Sequence, residues 1–564
     1  MKKTFYKKIL GMGITILMSI SNAYGEDNNS QDYTVNYTDY LRHPTAWISA
    51  QCYTQTKDEE TGTVHNPCYA CHTRSMAPNY LNDSDFQLSL DFRPDAAINP
   101  FTNTFEDRSA LVAQISDENI TNWVNESNYL VDNQIIIADK LKNNLPQAWD
   151  YDKNGQWDGY MPDAWFIFDD EGYDIHPITL EKTGWRAFGY QPFLGTFWPT
   201  NGSTDDVLIR LPAVFRQNIN GEIDWDIYNL NLLIVEALVR QQDVRIIPTD
   251  EQAVNYDLNA DGKIEGNSDK IIFNHYPLEQ KYMQYAGLAA NKDLKLAGGL
   301  FPVGTEFLHS VRYISTQNDQ IGLGNRMKEL RYMRKGYWQN WADLRNSVDK
   351  EAKEANDFPD RLRMFHGDFE RGIANGTGWY LQAWIEDRDG SLRPQNREET
   401  IFCMGCHGGM GVTSDSVFSY ARKYDATDFQ QGWYHWSQKG LVGKPDLKNT
   451  QGEYEYTKYL KNNRSVDEFR ANEEGYHKFF DKAGNVKPDM IDTMQKDITV
   501  LIFPSLERAI NLNKAWRALA MEQDYINGRD AVVTPAQNVY KEIEAETSTG
   551  INEAIKKYNL QAIQ

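Results

Sequence analysis

The chain has 564 residues, a net charge of −22 and 41% hydrophobic residues, which is typical of a folded protein rather than a disordered one. So large an acidic excess disfavours nucleic acid, or an anionic membrane surface, as the partner. The length exceeds what a single hydrophobic core usually serves, so we expect two or three domains.

The N-terminus has the pattern of an export signal. Four lysines among the first eight residues precede an apolar run over residues 9–20, and the small residues Ala23 and Gly25 follow it. This order predicts a signal peptide over residues 1–25, cleaved before Glu26, and a periplasmic location. The alternative, an uncleaved anchor, is disfavoured because the run is shorter than the ~20 residues of a membrane span. No cysteine directly follows the run, so we expect no lipid anchor. No long apolar run occurs later in the chain, so we expect no membrane span after signal cleavage.

Residues 26–146 form the first predicted region, which centres on the motif C-x-x-C-H. Cys68 and Cys71 lie three residues apart, and His72 follows directly. Cysteines at this spacing can form thioethers to both vinyl groups of one porphyrin, and the adjacent histidine can then bind the iron. The motif therefore predicts covalently attached haem c, with His72 as the proximal ligand. The helices predicted from apolar spacing in this region cover residues 108–115 and 131–144.

Residues 147–322 form a middle region that we predict to be mixed α/β. Short strands are predicted over residues 207–212 and 221–226, with turn residues between them. A helix is predicted over residues 229–240, where apolar residues recur at three- and four-residue spacing. This region contains no haem motif of its own.

Two acidic loops in the middle region resemble the first nine positions of an EF-hand calcium loop. Such a loop places oxygen ligands at positions 1, 3, 5 and 9 and a glycine at position 6. The closing glutamate at position 12 is absent from both, and Asp163 is a candidate substitute in the first. The alternative is an Asx-rich turn without metal. The predicted calcium residues are Asp150, Asp152, Asn154, Gln156 and Asp158 in the first loop, and Asp257, Asn259, Asp261, Lys263 and Glu265 in the second.

Residues 323–564 are predicted to form a C-terminal helical haem domain. Its predicted helices cover residues 326–345, 360–371, 414–422, 487–522 and 534–544. Pro504 should kink or divide the longest of them, because proline removes a helix hydrogen bond. A second C-x-x-C-H motif lies in this region, with Cys403 and Cys406 as attachment residues and His407 as the proximal ligand.

Zinc is the alternative occupant of these motifs, because paired C-x-x-C units also supply thiolates for a tetrahedral site. The two motifs lie far apart in the chain, and each has a histidine directly after its second cysteine. Zinc sites usually bring their two halves much closer in sequence. We therefore favour two covalently bound haem c groups, with calcium as a further candidate cofactor.

The two motifs resemble those of the c-type cytochromes. Two haem groups in one exported chain are similar to the exported dihaem enzymes of the cytochrome c peroxidase and MauG type, some of which bind calcium. The resemblance implies a mainly α fold with long loops, in which two c-type haem modules flank the mixed middle region. It also implies electron exchange with a periplasmic redox protein, or with a small-molecule electron donor or acceptor.

The expected function is an exported dihaem oxidoreductase of the peroxidase or oxidase kind, with one relay haem and one catalytic haem. So few haem groups in so long a chain leave room for a shaped pocket in which one iron meets a substrate. The alternatives are a non-enzymatic electron carrier, a haem subunit of a respiratory complex, or a calcium-stabilised structural protein.

Three further residues are candidates for roles near the predicted haem groups. His43 and His366 lie in non-helical segments near the haem regions, which makes them candidate sixth ligands of iron. Cys52 is the one cysteine outside the two motifs. It is either a reactive thiol or iron ligand, or a buried free cysteine.

Overall fold

A computed structural model of the chain describes most residues between Arg42 and Ile543. The described residues are 42–43, 45–54, 56–57, 64–65, 96–193, 199–273, 285–287, 294–358, 363–408, 413–418, 420–448, 452–467, 472–530, 532–537 and 539–543. All of them belong to one unit of the chain, residues 37–564. The predicted signal peptide and the first haem motif, with Cys68, Cys71 and His72, lie outside the described residues.

Strands occur along the whole described part of the chain. They are, in chain order, β1 (Thr56–Lys57), β2 (Val64–His65), β3 (Leu130–Val131), β4 (Gln134–Ile135), β5 (Tyr173–Ile175), β6 (Lys182–Ala187), β7 (Thr204–Arg210), β8 (Val244–Asp250), β9 (Asn267–Ile271), β10 (Glu306–Ser315), β11 (Gly322–Lys335), β12 (Gly367–Asp368), β13 (Gly372–Ala374), β14 (Trp379–Glu386) and β15 (Leu392–Pro394). Nine of them form one antiparallel sheet in the order β12-β13-β14-β11-β10-β7-β6-β5, with β15 paired to β14. The remaining six form three separate pairs.

The α-helices surround this sheet. They are α1 (Ser109–Val112), α2 (Asp117–Asn125), α3 (Ile136–Asn143), α4 (Trp225–Arg240), α5 (Glu251–Val254), α6 (Trp341–Asp357), α7 (Arg397–Ile401), α8 (Met404–His407), α9 (Trp436–Lys439), α10 (Glu455–Asn463), α11 (Glu473–Phe479), α12 (Pro488–Met494), α13 (Thr499–Ile502) and α14 (Leu506–Glu522).

One face of the sheet is covered by α4 and by the segment that follows β15. Helix α4 is apolar nearly all round, as expected of a helix inside a core, and every side chain from Ile227 to Val239 except Asn229 is buried. The Asp224 side chain caps its first turn by accepting hydrogen bonds from the backbone of Asp226 and Ile227. The core on this face also includes Phe307, Met333, Leu381, Ile401, Met404 and Val417.

The opposite face of the sheet is covered by α3 and by the chain between β4 and β6. Leu308 of β10, Leu330 of β11 and Trp384 of β14 are completely buried there. They pack with Ile137 of α3 and with Trp185 of β6. Because both faces are covered, the central strands are buried on both sides and lack the alternation that marks a half-exposed strand.

The predicted mainly α fold is therefore wrong, since a large antiparallel sheet forms the centre of the structure. The clearest error is the helix predicted over residues 326–345, the first half of which is strand β11. Met327, Leu330 and Met333 recur every three residues in this strand and imitate one face of a helix. Burial of β11 on both faces of the sheet produces this pattern without a helical period.

Of the other predicted helices and strands, some occur in the structure and some do not. Strand β7 and helix α4 confirm the strand at 207–212 and the helix at 229–240. Pro504 does divide the long C-terminal helix, because it lies between α13 and α14. The strand at 221–226 and the helices at 360–371 and 534–544 do not occur among the described residues of those segments. The described part of 414–422 contains a 3₁₀ helix, Tyr420–Arg422, and no α-helix. The predicted domain boundaries after residues 146 and 322 stay predictions.

Candidate functional site

A cavity of about 260 Å³ lies against the face of the sheet that α4 also covers. A single buried water needs roughly 10–15 Å³ in the same measure. The cavity is therefore large enough for an organic ligand. Its lining combines apolar side chains with a few charged groups, as is usual for small-molecule sites.

The floor of the cavity is formed by two rows of side chains that run across three neighbouring strands, β7, β10 and β11. Val207 of β7, His309 of β10 and Arg331 of β11 are directly paired across the sheet. Residues two positions apart on a strand share a face. The row next to them on this face contains the cavity residues Asp205, Val311 and Glu329.

The second C-x-x-C-H motif forms part of the opposite wall. Cys403, Cys406 and His407 all line the cavity, together with Phe402. The motif follows α7, and Glu399 of that helix forms a buried pair with Arg393 at 2.8 Å. The helix start is also closed by a capping box between Asn396 and Glu399. These contacts fix the segment that carries the two cysteines.

His407 presents a neutral imidazole to the cavity. Its Nδ1 lies 2.7 Å from the backbone oxygen of Ser416. Because a carbonyl oxygen can only accept, Nδ1 carries the proton and donates a hydrogen bond to it. Burial lowers the pKa of His407 to about 4, and the charge of Arg331 contributes to this shift. The Nε2 atom consequently keeps its lone pair at neutral pH. A ring nitrogen fixed in this way is typical of histidines that bind a metal through the other nitrogen.

The turn that holds this carbonyl is itself strained and firmly anchored. Asp415 and Ser416 have φ values of +52° and +64°, a region that costs free energy for residues other than glycine. The Asp415 carboxylate accepts a hydrogen bond of 2.7 Å from Lys335, and both side chains are completely buried. It also accepts one from the backbone of Phe301. The position of the Ser416 carbonyl is thus determined by a buried ion pair.

A second histidine also faces the cavity. His309 of β10 is close enough to His407 to lower its pKa through charge repulsion, in addition to the larger effect of burial. The Nε2 atom of His309 lies 3.0 Å from Asp205, which also accepts a hydrogen bond from the hydroxyl of Tyr190. Sequence reasoning missed His309, because no motif surrounds it and its position depends on the pairing of distant strands.

Cys52 and Cys403 are protonated thiols rather than thiolates. Burial raises the pKa of Cys403, and it raises the pKa of Cys52 to about 12, with a further contribution from Cys406. A thiol with so high a pKa is a poor nucleophile and a poor metal ligand at neutral pH. The environment of Cys52 therefore favours a buried free cysteine over a reactive thiol.

The described cysteines and histidines do not form a ready-made chelate. Among the residues that the structure describes, the group of three metal-binding side chains with ligand atoms within 4.8 Å of one another is Asp150, Asp152 and Glu370. Cys403, Cys406 and His407 are outside it. This arrangement disfavours the zinc alternative for the second motif.

Neither of the predicted sixth iron ligands lies at the cavity. The Nε2 atom of His43 is hydrogen-bonded to the side chain of Asn527 at 2.7 Å. His366 is exposed. The histidine that shares the cavity with His407 is His309.

The first predicted calcium loop is closed by a glutamate from a distant hairpin. Glu370, between β12 and β13, is completely buried and accepts hydrogen bonds from the backbone of Tyr151 and Asp158. The predicted substitute Asp163 lies elsewhere, because it binds Arg210 at 2.6 Å. Arg371 pairs with both Asp152 and Asp158.

The second predicted calcium loop has the same backbone hydrogen bonds as the first. In both loops the first aspartate accepts hydrogen bonds from the fifth and sixth residues; in the second these run from Asp261 and Gly262 to Asp257. A glutamate from outside the loop again closes it. Here it is the buried Glu251, which accepts hydrogen bonds from the backbone of Leu258 and Glu265.

The fold and the site together define a class of protein: an antiparallel sheet with a cavity of about 260 Å³ on one face. A lipoprotein family matches residues 36–495 of the chain. Since this is most of its length, the chain belongs to that family. An uncharacterized lipoprotein of Aquifex aeolicus (strain VF5) is 29% identical over 97% of each chain. No solved structure matches the chain.

Family membership bears on two expectations from the sequence, export and the absence of a lipid anchor. The protein is exported, as predicted, but it belongs to a family of lipoproteins, whereas we expected no lipid anchor. The first cysteine of the chain is Cys52, so the lipoprotein assignment rests on the family rather than on a cysteine after the apolar run. No helix of the described residues is long and apolar enough to span a membrane.

The family also overturns the resemblance to dihaem cytochromes. Neither the family nor the Aquifex protein is described as a cytochrome or an oxidoreductase. The expected dihaem oxidoreductase, and its alternatives as an electron carrier or respiratory subunit, are therefore wrong. The resemblance covered two pentapeptides, whereas the family covers most of the chain. The comparisons do not test the predicted haem attachment residues or the predicted haem and calcium cofactors, which stay predictions.

Proposed function

We propose that this exported lipoprotein binds a large, mostly apolar ligand in the cavity beside the central sheet. The observation that carries the proposal is the cavity itself, because a volume of about 260 Å³ is bordered by two thiols and two imidazoles. Natural cores are close-packed and contain few voids larger than a water molecule. A cavity of this size and composition is consistent with a ligand site rather than a packing defect.

The proposed occupant is haem c, attached through Cys403 and Cys406. The donor set fits this group, since two thiols and a neutral imidazole with an available Nε2 border the same space. His407 would hold the iron, and the apolar walls at Phe402 and Phe418 would exclude water from the porphyrin. Haem bound there would supply an iron centre to the cavity. Cys68, Cys71 and His72 stay the proposed residues of a second haem.

Covalent attachment is tested on the exported, full-length protein. After extraction with acid and acetone, pyridine haemochrome absorbance should show haem retained in the wild type. The double variant Cys403→Ala/Cys406→Ala should lose the share bound at this site, while Cys52→Ala should retain it as a matched control. Equal haem content in all three proteins, or none in the wild type, would contradict the assignment.

The cavity is tested with a variant that fills it. Val207 lies in the middle of the floor beside His309 and Arg331, so Val207→Phe should occupy part of the space. We expect iron protoporphyrin IX, added to the full chain produced without export, to bind at least about tenfold more weakly to this variant. Val442→Phe is the matched control, because Val442 is 64% exposed. Identical binding by the two variants would mean that the ligand binds elsewhere.

We also propose that the first acidic loop binds calcium in a structural role. Asp150, Asp152 and Glu370 place carboxylate oxygens within 4.8 Å of one another, and Glu370 supplies the closing carboxylate that the loop lacks. Calcium prefers six to eight oxygen ligands, often with one such carboxylate. The second loop, with Glu251 in the equivalent role, is a weaker candidate because its carboxylates are not gathered in this way among the described residues.

Calcium binding is measured by calorimetry on the full chain. We expect Glu370→Gln to reduce the affinity of the first loop by about tenfold or more, since it removes a charged ligand. Glu473→Gln serves as a control at an exposed glutamate. Absence of calcium binding by the wild type would leave these loops as Asx-rich turns.

A periplasmic location is our proposal for the exported protein, because covalent haem attachment takes place outside the cytoplasmic membrane. The acidic charge of the chain supports the prediction that nucleic acid is not a partner. A redox protein or small electron donor as partner stays a prediction from the sequence.

A further inference from the structure

A serine, a histidine and an aspartate are hydrogen-bonded in series on the side of β7 that faces away from the cavity. The Oγ atom of Ser437 lies 2.7 Å from Nδ1 of His435, and Nε2 of His435 lies 2.7 Å from the carboxylate of Asp206. Asp205 and Val207 border the cavity, and Asp206 between them on β7 faces the opposite side of the sheet. The three residues are therefore separate from the proposed ligand site.

These hydrogen bonds define which nitrogen of His435 carries the ring proton. A carboxylate can only accept, so Nε2 is protonated and donates to Asp206. The backbone N–H of Ser437 donates to Nδ1 at 3.1 Å and caps helix α9, so Nδ1 is an acceptor with a lone pair. The hydroxyl of Ser437 donates to the same nitrogen over a shorter distance. A neutral imidazole thus accepts a hydrogen bond from the serine hydroxyl, which the helix cap does not require.

Buried contacts fix the orientation of this imidazole. The ring of Phe168 stacks on the ring of His435 with the centroids 4.4 Å apart. The other carboxylate oxygen of Asp206 accepts hydrogen bonds from the backbone N–H and the hydroxyl of Ser310, at 3.0 and 2.7 Å. Burial alone would raise the pKa of Asp206, but its hydrogen bond with His435 and the charge of Arg312 hold it at about 2. Asp206 is therefore ionised at neutral pH and can stabilise an imidazolium.

The serine is accessible, whereas the other two residues are not. Ser437 is exposed, and His435 and Asp206 are buried. A molecule from solvent can therefore reach the hydroxyl while the groups behind it are shielded from water. The side chain of Gln438 donates a hydrogen bond of 2.8 Å to the backbone oxygen of Asp169, which brings the acidic segment 169–171 close to the serine. These charges disfavour an anionic molecule at Ser437.

We propose that Ser437 is the nucleophile of a second site, which hydrolyses small, uncharged esters that approach from solvent. His435 is the general base, and Asp206 is the residue that positions it. A nucleophile, a base in hydrogen-bond contact with it and a carboxylate that orients the base are the parts that acyl transfer to serine uses. The inference goes beyond ligand binding in the cavity and does not depend on it.

The reaction balances with water as the second reactant. The Oγ atom of Ser437 bonds to the acyl carbon, and its proton passes to Nδ1 of His435. The bond between the acyl carbon and the alcohol oxygen then breaks, and the leaving alcohol takes that proton from Nδ1. Water attacks the acyl-serine, again giving its proton to Nδ1, which returns it to Oγ as the acid leaves. Asp206 keeps its negative charge throughout.

Acetylation by p-nitrophenyl acetate tests the nucleophile on the full chain. Mass spectrometry of peptides, taken at short times, measures how fast each serine gains an acetyl group. We expect Ser437 to react at least about a hundredfold faster than Ser505, as general base catalysis predicts. Ser505 is a matched internal control, because it is also an exposed serine in a helix cap but is hydrogen-bonded to the carboxylate of Glu474. Release of p-nitrophenolate should fall in Ser437→Ala and stay unchanged in Ser505→Ala.

The dependence of this rate on pH tests the base in the wild type, where folding is not at risk. A serine activated by an imidazole reacts at a rate that levels off once the imidazole is neutral. An unassisted serine reacts as its alkoxide, about tenfold faster for each pH unit, without a plateau. Asp206→Asn should slow the reaction and move the midpoint of the profile to lower pH, because the imidazolium loses its carboxylate.

His435→Gln should slow acetylation of Ser437 by about a hundredfold, and His477→Gln, at an exposed histidine, should not. Acetylation of Ser437 no faster than that of Ser505, or a wild-type rate that rises with pH without a plateau, would overturn the proposal. Either result would leave the proposed ligand site intact, because that site is tested by haem and its binding.

Discussion

A buried ion pair determines how the imidazole of His407 is oriented. The Lys335–Asp415 pair is completely buried and anchors the strained turn whose carbonyl orients the imidazole. Burying two charges is costly, and their attraction offsets that cost only while both partners are present. The pair therefore functions as a positional constraint more than as a source of stability.

Lys335→Met should accordingly destabilise the protein by about 3–5 kcal/mol, because it leaves Asp415 buried and unpaired. Urea denaturation of the full chain measures this change. The control is Lys353→Met, which removes an exposed ion pair with Asp357 and should cost less than about 0.5 kcal/mol. Similar losses in the two variants would show that the buried pair does not anchor the turn.

Lys328 should impose a pH dependence on stability. Its pKa in the folded protein is about 7, whereas an unfolded lysine has a pKa of about 10.4. Between these values the unfolded state binds more protons, so the free energy of unfolding rises with pH. The wild type should gain about 2 kcal/mol relative to Lys328→Met between pH 7 and pH 9.

Denaturation with urea at pH 7, 8 and 9 gives this difference directly. Other titrating groups are shared by the two proteins and cancel in the comparison. Parallel pH profiles would mean that Lys328 stays charged in the folded protein.

At the scale of elements, the hydroxyl of Tyr228 connects helix α4 to the sheet. The hydroxyl of Tyr228 donates a hydrogen bond of 2.7 Å to the backbone oxygen of Gly184 in β6. It also accepts one from the backbone N–H of Leu211, just after β7. The side chain is completely buried. One residue of the helix thus satisfies backbone groups of two neighbouring segments.

Tyr228→Phe should cost about 1–3 kcal/mol, because it leaves a buried carbonyl and a buried N–H without partners. Thermal or urea unfolding measures the loss. Tyr151→Phe removes a hydroxyl from a tyrosine that is 52% exposed, so it should leave stability almost unchanged. An unaffected Tyr228→Phe protein would show that water replaces the hydroxyl.

The elements differ in how well their sequences predict them. Helix α4 was predictable, because its long apolar segment is bounded by the Asp224 cap and exceeds the length of a strand. Strand β11 was not, because burial on both faces removes the alternation that identifies a strand. The pairing of His309 with Arg331 depends on register between strands, which no local pattern contains.

The candidate site was predictable only where a local motif exists. The motif identified Cys403, Cys406 and His407, and the structure places all three at the cavity. Glu370, which closes the first acidic loop, lies more than two hundred residues beyond it in sequence, so spacing within the loop cannot reveal it. Arg529 likewise reaches the cavity from a C-terminal segment that shows no signal of its own.

At the scale of the molecule, the cavity divides the sheet into a close-packed face and a face with room for a ligand. A ligand that binds only the folded state stabilises it by mass action, by about 2.7 kcal/mol at a hundred times its dissociation constant. Iron protoporphyrin IX should therefore raise the melting temperature of the full chain. Val207→Phe should show a smaller rise than Val442→Phe, and equal rises would indicate binding outside the cavity.

The most direct test of the ligand site is the mass of the peptide that contains Cys403 and Cys406, isolated by proteolysis from the exported, full-length protein. We predict that this peptide carries one covalent adduct with the mass of haem attached through both sulfurs. The peptide that contains Cys52 should be unmodified in the same digest. Recovery of the first peptide with two free thiols that react with iodoacetamide would contradict the account.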